Sequence, residues 1–143
     1  MLTRQKVEVE FSQIYKTVGL GTTIWSPLAS GVLTGKYNQN KDPKGTRLNM
    51  EGMDWLKKSV LEKENIKKAE KLTALAKDLG ISLPVLAIAW CLKNNNVSTV
   101  ILGASKTAQL KENFKASEAK NKLTPDVMTK VDEILNVPVG QNF

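Results

Sequence analysis

The sequence lacks histidine altogether and contains one cysteine in 143 residues. The absence of histidine removes the side chain that most often serves as general base near neutral pH. No cluster of residues predicts a metal site. The single cysteine, Cys91, lies in an apolar run and cannot form an internal disulfide, which favours a reducing compartment and predicts a cytoplasmic protein.

Long apolar runs are also missing. The longest, LPVLAIAWCL over residues 83–92, is too short to cross a bilayer as a helix, so the sequence predicts no membrane span. The first ten residues, MLTRQKVEVE, mix both charge signs and lack the apolar stretch of a secretory signal peptide. With 41% hydrophobic and 24% charged residues, the composition is that of a soluble globular domain.

The charge balance is basic, with a formal net charge of +7. An excess of lysine can indicate nucleic acid or an acidic partner. The lysines are scattered along predicted helices, however, and no aromatic side chains alternate with them to stack bases. We therefore interpret these lysines as parts of solvated helix faces and predict no nucleic-acid partner. The lysines on or beside the predicted helices are Lys57, Lys58, Lys67, Lys68, Lys71 and Lys77.

Apolar spacing divides the first part of the chain into short elements. It predicts a helix over residues 11–18 that ends at Gly19, and leaves residues 6–10 open between strand and helix. Residues 20–25 are rich in β-branched and aromatic side chains and predict a strand. A long connection follows over residues 26–55, a length that is typical of functional loops or of disorder.

The rest of the chain predicts four helices and one strand. The first helix ends at Gly80 and buries one face, formed by Ile66, Ala69, Leu72, Ala76 and Leu79. Ser82 is the predicted cap of the next helix, which has Pro84 in its first turn, runs to about Lys93 and is apolar nearly all round, so that it should be buried.

A second strand is predicted over residues 97–103, apolar on both faces as in a parallel sheet covered by helices. A helix containing Leu110 and Phe114 follows. The last helix starts with Thr124 as cap and Pro125 just inside, and places four apolar residues inward: Val127, Val131, Ile134 and Leu135. The alternation is that of an α/β protein, and because two parallel strands cannot cover themselves, the chain is expected to be part of a larger fold.

Segments suited to an anion follow both predicted strands. In TTIWSPLASGVLTGKY, Gly31 and Gly35 let the backbone come close, and Ser26 and Lys36, with Arg47 further on, could hold a pyrophosphate. The alternative is a surface loop with incidental lysines. Phosphate sites of (β/α)8 barrels are often formed by the loops after strands seven and eight, and this favours the first interpretation.

The segment GASKTAQLKEN, residues 103–113, follows the second strand. Gly103 permits a tight turn, Ser105 or Thr107 can cap the next helix, and the start of that helix favours phosphate. Three polar residues could contact one ligand because their spacing puts them on one helix face: Gln109, Glu112 and Asn113. The alternative here is an ordinary capped helix with a solvated face.

Several of these motifs together resemble the C-terminal part of an aldo-keto reductase. They are WSPLASGVLTGKY and LAIAWCLKNNNVSTVILGASKTAQLKEN, and within the superfamily they are most similar to voltage-gated potassium channel β-subunits and their plant, fungal and protist relatives. The resemblance implies that residues 1–143 are the C-terminal portion of a (β/α)8 TIM barrel, containing strands seven and eight with their helices and therefore an incomplete barrel.

The resemblance also implies a site for NADP(H). Residues 25–30 would line the pyrophosphate and nicotinamide side, namely Trp25, Ser26, Pro27, Leu28, Ala29 and Ser30. Lys36 and Arg47 would meet phosphate charges. Five residues would hold the adenosine and its 2′-phosphate, namely Gly103, Ser105, Gln109, Glu112 and Asn113.

Members of this family use an Asp, a Tyr proton donor, a Lys, and a His or Asn on the first half of the barrel. This chain has no histidine, and Tyr15 and Tyr37 do not match the motif, so we predict no catalytic residue in it. The full-length protein would reduce small aldehydes or ketones with NADPH and is a candidate to assemble as a homotetramer with a voltage-gated potassium channel α subunit. The alternatives are a soluble aldo-keto reductase without a channel partner, and a non-catalytic binding or assembly protein.

Overall fold

The computed structural model describes residues 1–136 and contains seven α-helices and two strands in that range. Residues 137–143, the end of the predicted domain 1–143, lie outside the described residues. The helices are α1 (Ser12–Val18), α2 (Asp54–Val60), α3 (Lys63–Asp78), α4 (Leu83–Lys93), α5 (Thr107–Phe114), α6 (Ala116–Ala119) and α7 (Pro125–Leu135), and the strands are β1 (Thr22–Ile24) and β2 (Val97–Val100).

The two strands pair in parallel and form a small sheet. Ile24 lies opposite Val100, and a register shift separates Thr22 from Thr23. The chain is therefore an α/β domain of mostly helices around a two-stranded parallel sheet. Both strands are shorter than predicted, and in β2 Ser98 and Thr99 are exposed, so the expectation of a strand that is apolar and covered on both faces is wrong.

Helix α4 forms the centre of the core. As its all-round apolar sequence predicts, it is buried from Leu83 to Cys91, with the exception of Pro84, which is half-buried. It packs against β2, α3, α5 and α6. Burial raises the pKa of the Cys91 thiol, which therefore packs as an apolar group.

The predicted helix ends are largely confirmed. Gly19 and Gly80 adopt φ values of +64° and +66° directly after helical segments, as C-terminal stops should. Thr124 caps α7, because its hydroxyl accepts a hydrogen bond from the Val127 N–H at 3.4 Å. Val131 and Leu135 of that helix are fully buried, as its spacing predicts.

Ser82 differs from its predicted role. It occupies the N-cap position of α4, but its side chain makes no capping hydrogen bond. Its hydroxyl donates instead to Glu112 Oε1 at 2.8 Å, linking α4 to α5. The Ser82 hydroxyl can form a hydrogen bond either within its own helix or with a neighbouring carboxylate. It bonds to the Glu112 carboxylate because a charged acceptor makes the stronger hydrogen bond.

The first ten residues contain a cluster of buried charges. Residues 6–10, left open by the sequence, form one π-helical turn, Lys6–Glu10. Arg4, which is only 6% exposed, pairs with Glu8 and with Asp132 of α7. Its guanidinium lies 5.2 Å from the centre of the Trp90 ring. Arg4 therefore connects the start of the chain to α4 and α7.

Removing Arg4 should destabilise the protein strongly and in a pH-dependent way. Burial already raises the pKa of the Glu8 carboxyl, and Arg4→Met leaves that carboxylate buried without its cation. We expect a loss of about 3–5 kcal/mol in the free energy of unfolding at pH 7, measured by urea denaturation. A raised folded-state pKa means that the folded variant binds the proton more tightly, so its deficit shrinks as pH falls toward 4.5, the ordinary value for Glu8.

The double variant Arg4→Met/Glu8→Leu is the control, because it removes the buried carboxylate as well as the cation. It should recover a large part of the lost stability and show a weaker pH dependence between pH 4.5 and 7. A single variant as stable as the wild type at pH 7 would show that the cluster contributes nothing to folding.

Candidate functional site

The segment after β1 packs against the core and is not a loose surface loop. It contains two short 3-10 helices, Ala29–Thr34 and Asn38–Asn40, where the sequence predicts only a connection. Val32, Leu33 and Tyr37 are at most 1% exposed. Because these three side chains are buried, the polar positions between them have fixed places.

Side chains of α3 hold the second half of this segment. The Asn38 Nδ2 group donates to Thr73 Oγ1 at 3.0 Å, and the backbone N–H of Gln39 donates to Glu70 Oε1 at 2.7 Å. Neither Thr73 nor Glu70 is indicated by any local motif, since the contacts join residues more than thirty positions apart. They are parts of the site that sequence reasoning missed.

The backbone of the segment is strained. Ser26, Ala29 and Ser30 have φ values of +52°, +47° and +53°, although none of them is glycine. Left-handed backbone costs a residue with a Cβ atom roughly 1–2 kcal/mol, and such conformations cluster at ligand sites. Gly31 and Gly35, with φ values of +99° and +77°, adopt similar backbone without that cost.

Trp25 is the most exposed large apolar side chain of the described residues, at 79%. It directly follows β1, and the N–H of Ile101, directly after β2, donates to the carbonyl of Ile24 at 2.8 Å. The two predicted halves of the site therefore begin at the same edge of the sheet. A single ligand site formed by the segments that follow the two strands requires this arrangement.

A cavity of about 480 Å³ opens beside the first half of the site. Its walls include the first residues of the chain, β1, α2 and α4, together with predicted site residues of the loop, namely Trp25, Ser26, Pro27, Ala29 and Ser30. Leu28, Lys36, Arg47 and the residues of the second half do not line it. The volume lies within the range of ordinary ligand pockets.

Arg47 lies on a separate short helix, Arg47–Asn49, and is exposed. Lys57 of α2 holds the chain on both sides of Arg47, because its ammonium donates hydrogen bonds of 2.7 Å to both Asp42 and Asn49. The hydrogen bond from Lys57 is the main reason that the pKa of the Asp42 carboxyl is lowered. Lys57 still lies on the solvent-facing side of α2, as the sequence predicts, and there it forms a surface ion pair with Asp42.

The second half of the site is a turn followed by α5. Gly103 and Ser105 are exposed, and the helix begins at Thr107 with Lys106 at the N-cap, so the predicted caps Ser105 and Thr107 are wrong. The side chain of Gln109 does the capping instead. Its Oε1 accepts from the N–H of Ser105 at 2.9 Å and from that of Lys106 at 3.3 Å.

Glu112 and Asn113 have different environments in spite of their shared helix face. The Glu112 carboxylate accepts from Lys115 at 2.6 Å and from Ser82, and these two hydrogen bonds, that of Lys115 first, lower its pKa. Asn113 is 4% exposed. Gln109, Glu112 and Asn113 are thus held by the protein itself, and their contact with one ligand stays a prediction.

The charge of the loop after β1 fits an anionic ligand such as the cofactor that the resemblance implies. Residues 19–41 contain two lysines and no Asp or Glu, and residues 103–113 contain two lysines and the carboxylate of Glu112, which pairs with Lys115. The N–H groups of Thr107 and Ala108, the first two of α5, have no acceptor within the helix, which leaves them available to an anion. Together with the left-handed backbone after β1, this donor set suits phosphate oxygens.

Within residues 1–136, no group of three or more potential metal-binding side chains is found. No single helix in that range is long and apolar enough to cross a membrane, although α3 and α4 together, bent by 90° at their junction, have sufficient length and apolar composition.

Comparison with known proteins supports the resemblance. The chain is 46% identical over 135 residues to a "Probable voltage-gated potassium channel subunit beta" of Oryza sativa subsp. japonica, covering 94% of this chain and 41% of that protein. It is 44% identical to the protein of the same description from Arabidopsis thaliana, with the same coverage. The chain thus spans less than half the length of these relatives. The model of the "Aldo/keto reductase family" matches residues 1–136, and the chain belongs to that family.

Proposed function

We propose that this chain is the NADP(H)-binding part of an aldo-keto reductase of the channel β-subunit kind. The observation that carries the proposal is the strained, acid-free loop after β1, with Ser26, Ala29 and Ser30 in left-handed backbone and Lys36 at its end. Strain of this kind persists only where the surrounding structure imposes it, and Val32 and Leu33 anchor the loop in the core.

Each half of the site has a distinct role in this proposal. The ring of Trp25, exposed beside the cavity, packs against the nicotinamide, and the loop from Ser26 to Ser30 faces the pyrophosphate. Lys36 and Arg47 neutralise phosphate charge. The turn at Gly103 and Ser105 and the start of α5 receive the adenosine with its 2′-phosphate.

The loops of this chain correspond, in the proposal, to those after strands seven and eight of a (β/α)8 barrel. The cofactor would supply the hydride for reduction of an aldehyde or ketone. That reaction also needs a proton donor, and neither Tyr15 nor Tyr37 matches the catalytic motif of the family. We therefore propose that the full-length protein carries out carbonyl reduction and that these residues bind the cofactor, in the cytoplasm.

Replacing Trp25 should weaken NADPH binding, measured by isothermal titration calorimetry on the whole chain. Loss of aromatic packing worth about 0.5–1.5 kcal/mol predicts a two- to tenfold higher dissociation constant for Trp25→Ala, in round numbers. Trp55→Ala is the matched control, since Trp55 is similarly exposed, at 68%, but lies on α2 and does not line the cavity. Equal affinities for both variants, or no NADPH binding by the wild type, would contradict the proposal.

We also propose that the full-length protein binds a voltage-gated potassium channel, a proposal supported by the names of the two plant relatives, and that it does so as a homotetramer, as the family resemblance implies. The test is immunoprecipitation of the native protein from its own cells, using an antibody against residues 107–135, followed by mass spectrometry. Recovery of a channel α subunit in equal numbers with the protein is the expected result. Recovery of the protein free of any channel would favour a soluble reductase without a channel partner.

A further inference from the structure

The ammonium group of Lys36 lies close to a glycine in the loop after β1. A Cβ atom built at Gly31 would lie 2.7 Å from Lys36 Cε and 2.8 Å from Lys36 Nζ. Both distances are shorter than any real contact of a Cβ atom. The side chain of Lys36 therefore occupies space that is free only because residue 31 has no side chain.

The ring of Tyr37 lies beside the same space, next to the ammonium group of Lys36. Lys36 Nζ lies 5.1 Å from the centre of that ring, within the range of a cation–π interaction. The ring is 1% exposed and therefore fixed in position. Its hydroxyl has no hydrogen-bond partner among the described residues, so it is the ring, rather than the hydroxyl, that contacts Lys36.

We propose that Gly31 and Tyr37 are positioning residues that hold the Lys36 ammonium ready for a cofactor phosphate, an inference that rests on the proposed function. A free lysine side chain is flexible and loses conformational freedom when it binds. The space beside Gly31 and the ring of Tyr37 restrict the Lys36 side chain before the ligand binds. The side chain therefore loses less conformational freedom on binding. Gly31 acts through Lys36 and has no side chain of its own to contact the ligand.

The chain offers a matched control for a substitution at Gly31. Gly31→Ala introduces two changes, left-handed strain at φ +99° and a clash with the end of Lys36. Gly35→Ala introduces comparable strain at φ +77°, but its nearest neighbour, Asn38 Nδ2, is 3.5 Å away, which is an ordinary contact. The difference between the two variants therefore reports the displacement of Lys36.

The first measurement needs no ligand. In the wild type, the Cε protons of Lys36 should resonate upfield of those of the other lysines in the NMR spectrum, because of the Tyr37 ring current. Gly31→Ala should remove that shift and Gly35→Ala should keep it, with circular dichroism confirming that both variants are folded. Retention of the shift in Gly31→Ala, or its absence in the wild type, would overturn the inference.

The second measurement is a double-mutant cycle on NADPH affinity. Lys36→Met should raise the dissociation constant about tenfold, through loss of a charge-assisted contact, and Gly31→Ala should raise it several-fold more than Gly35→Ala. In the Lys36→Met background, Gly31→Ala and Gly35→Ala should have equal effects, since there is no ammonium left to displace.

The two kinds of failure are distinguishable. If Lys36→Met binds NADPH as tightly as the wild type, the phosphate role of Lys36 is wrong, and both the proposed function at this residue and the inference fail. If Lys36→Met weakens binding but Gly31→Ala has no more effect than Gly35→Ala, only the inference fails. The result that supports it is an excess effect of Gly31→Ala that disappears without Lys36.

Discussion

The parallel pairing of β1 with β2 is the constraint on which the site depends. Parallel strands need a long crossover between them, and residues 25–96 provide it, passing through α2, α3 and α4. Because the strands run in the same direction, both end at one edge, where the Ile101 N–H meets the Ile24 carbonyl. The loop after β1 and the turn before α5 therefore start side by side, although they are far apart in sequence.

Burial makes the strained loop possible. Three residues that carry a Cβ, Ser26, Ala29 and Ser30, hold left-handed backbone at a cost of roughly 1–2 kcal/mol each. The buried side chains of the same segment, Val32 and Leu33, each contribute about 1.5–3 kcal/mol by leaving water. The two contributions are of similar size, so the loop keeps its shape because it is packed against α3 and α4.

Some charged side chains of this protein stabilise the fold, and others are available to bind a ligand. Buried Arg4 pairs with buried Glu8 and with the half-buried Asp132, and Lys57 links Asp42 to Asn49, so the charges in these groups serve the fold. Lys36 has no acidic neighbour in the surrounding sequence and lies on an aromatic ring. An ammonium held in this way remains available to an anion.

The sequence predicted the elements whose signals are local. The period of α3, the apolar run of α4 and the cap of α7 at Thr124 all lie within one element, and all three are confirmed. Arg4 with Asp132, and Ser82 with Glu112, are contacts between distant parts of the chain. No local pattern encodes them, so the sequence suggested a cap at Ser82 and gave no sign of the buried cluster.

Local sequence patterns also predicted only part of the candidate site. Turn residues and lysines after each strand indicated where a ligand would bind, and the family resemblance named the residues. The left-handed backbone at Ser26 and Ala29 could not be predicted, because neither residue type favours it and the packing of Val32 and Leu33 imposes it. The position of the Lys36 side chain depends on Gly31 and on the buried ring of Tyr37, and no local sequence pattern indicates that arrangement.

The most direct test of the account is an NMR titration of the whole chain with NADPH, following the backbone amide resonances. If the two loops form one cofactor site, the signals of residues 26–36 and of residues 103–109 shift together and saturate at the same concentration. Shifts confined to one loop, or to residues at the start of the chain that also line the cavity, such as Met1 and Arg4, would contradict a single site at the edge where β1 and β2 end.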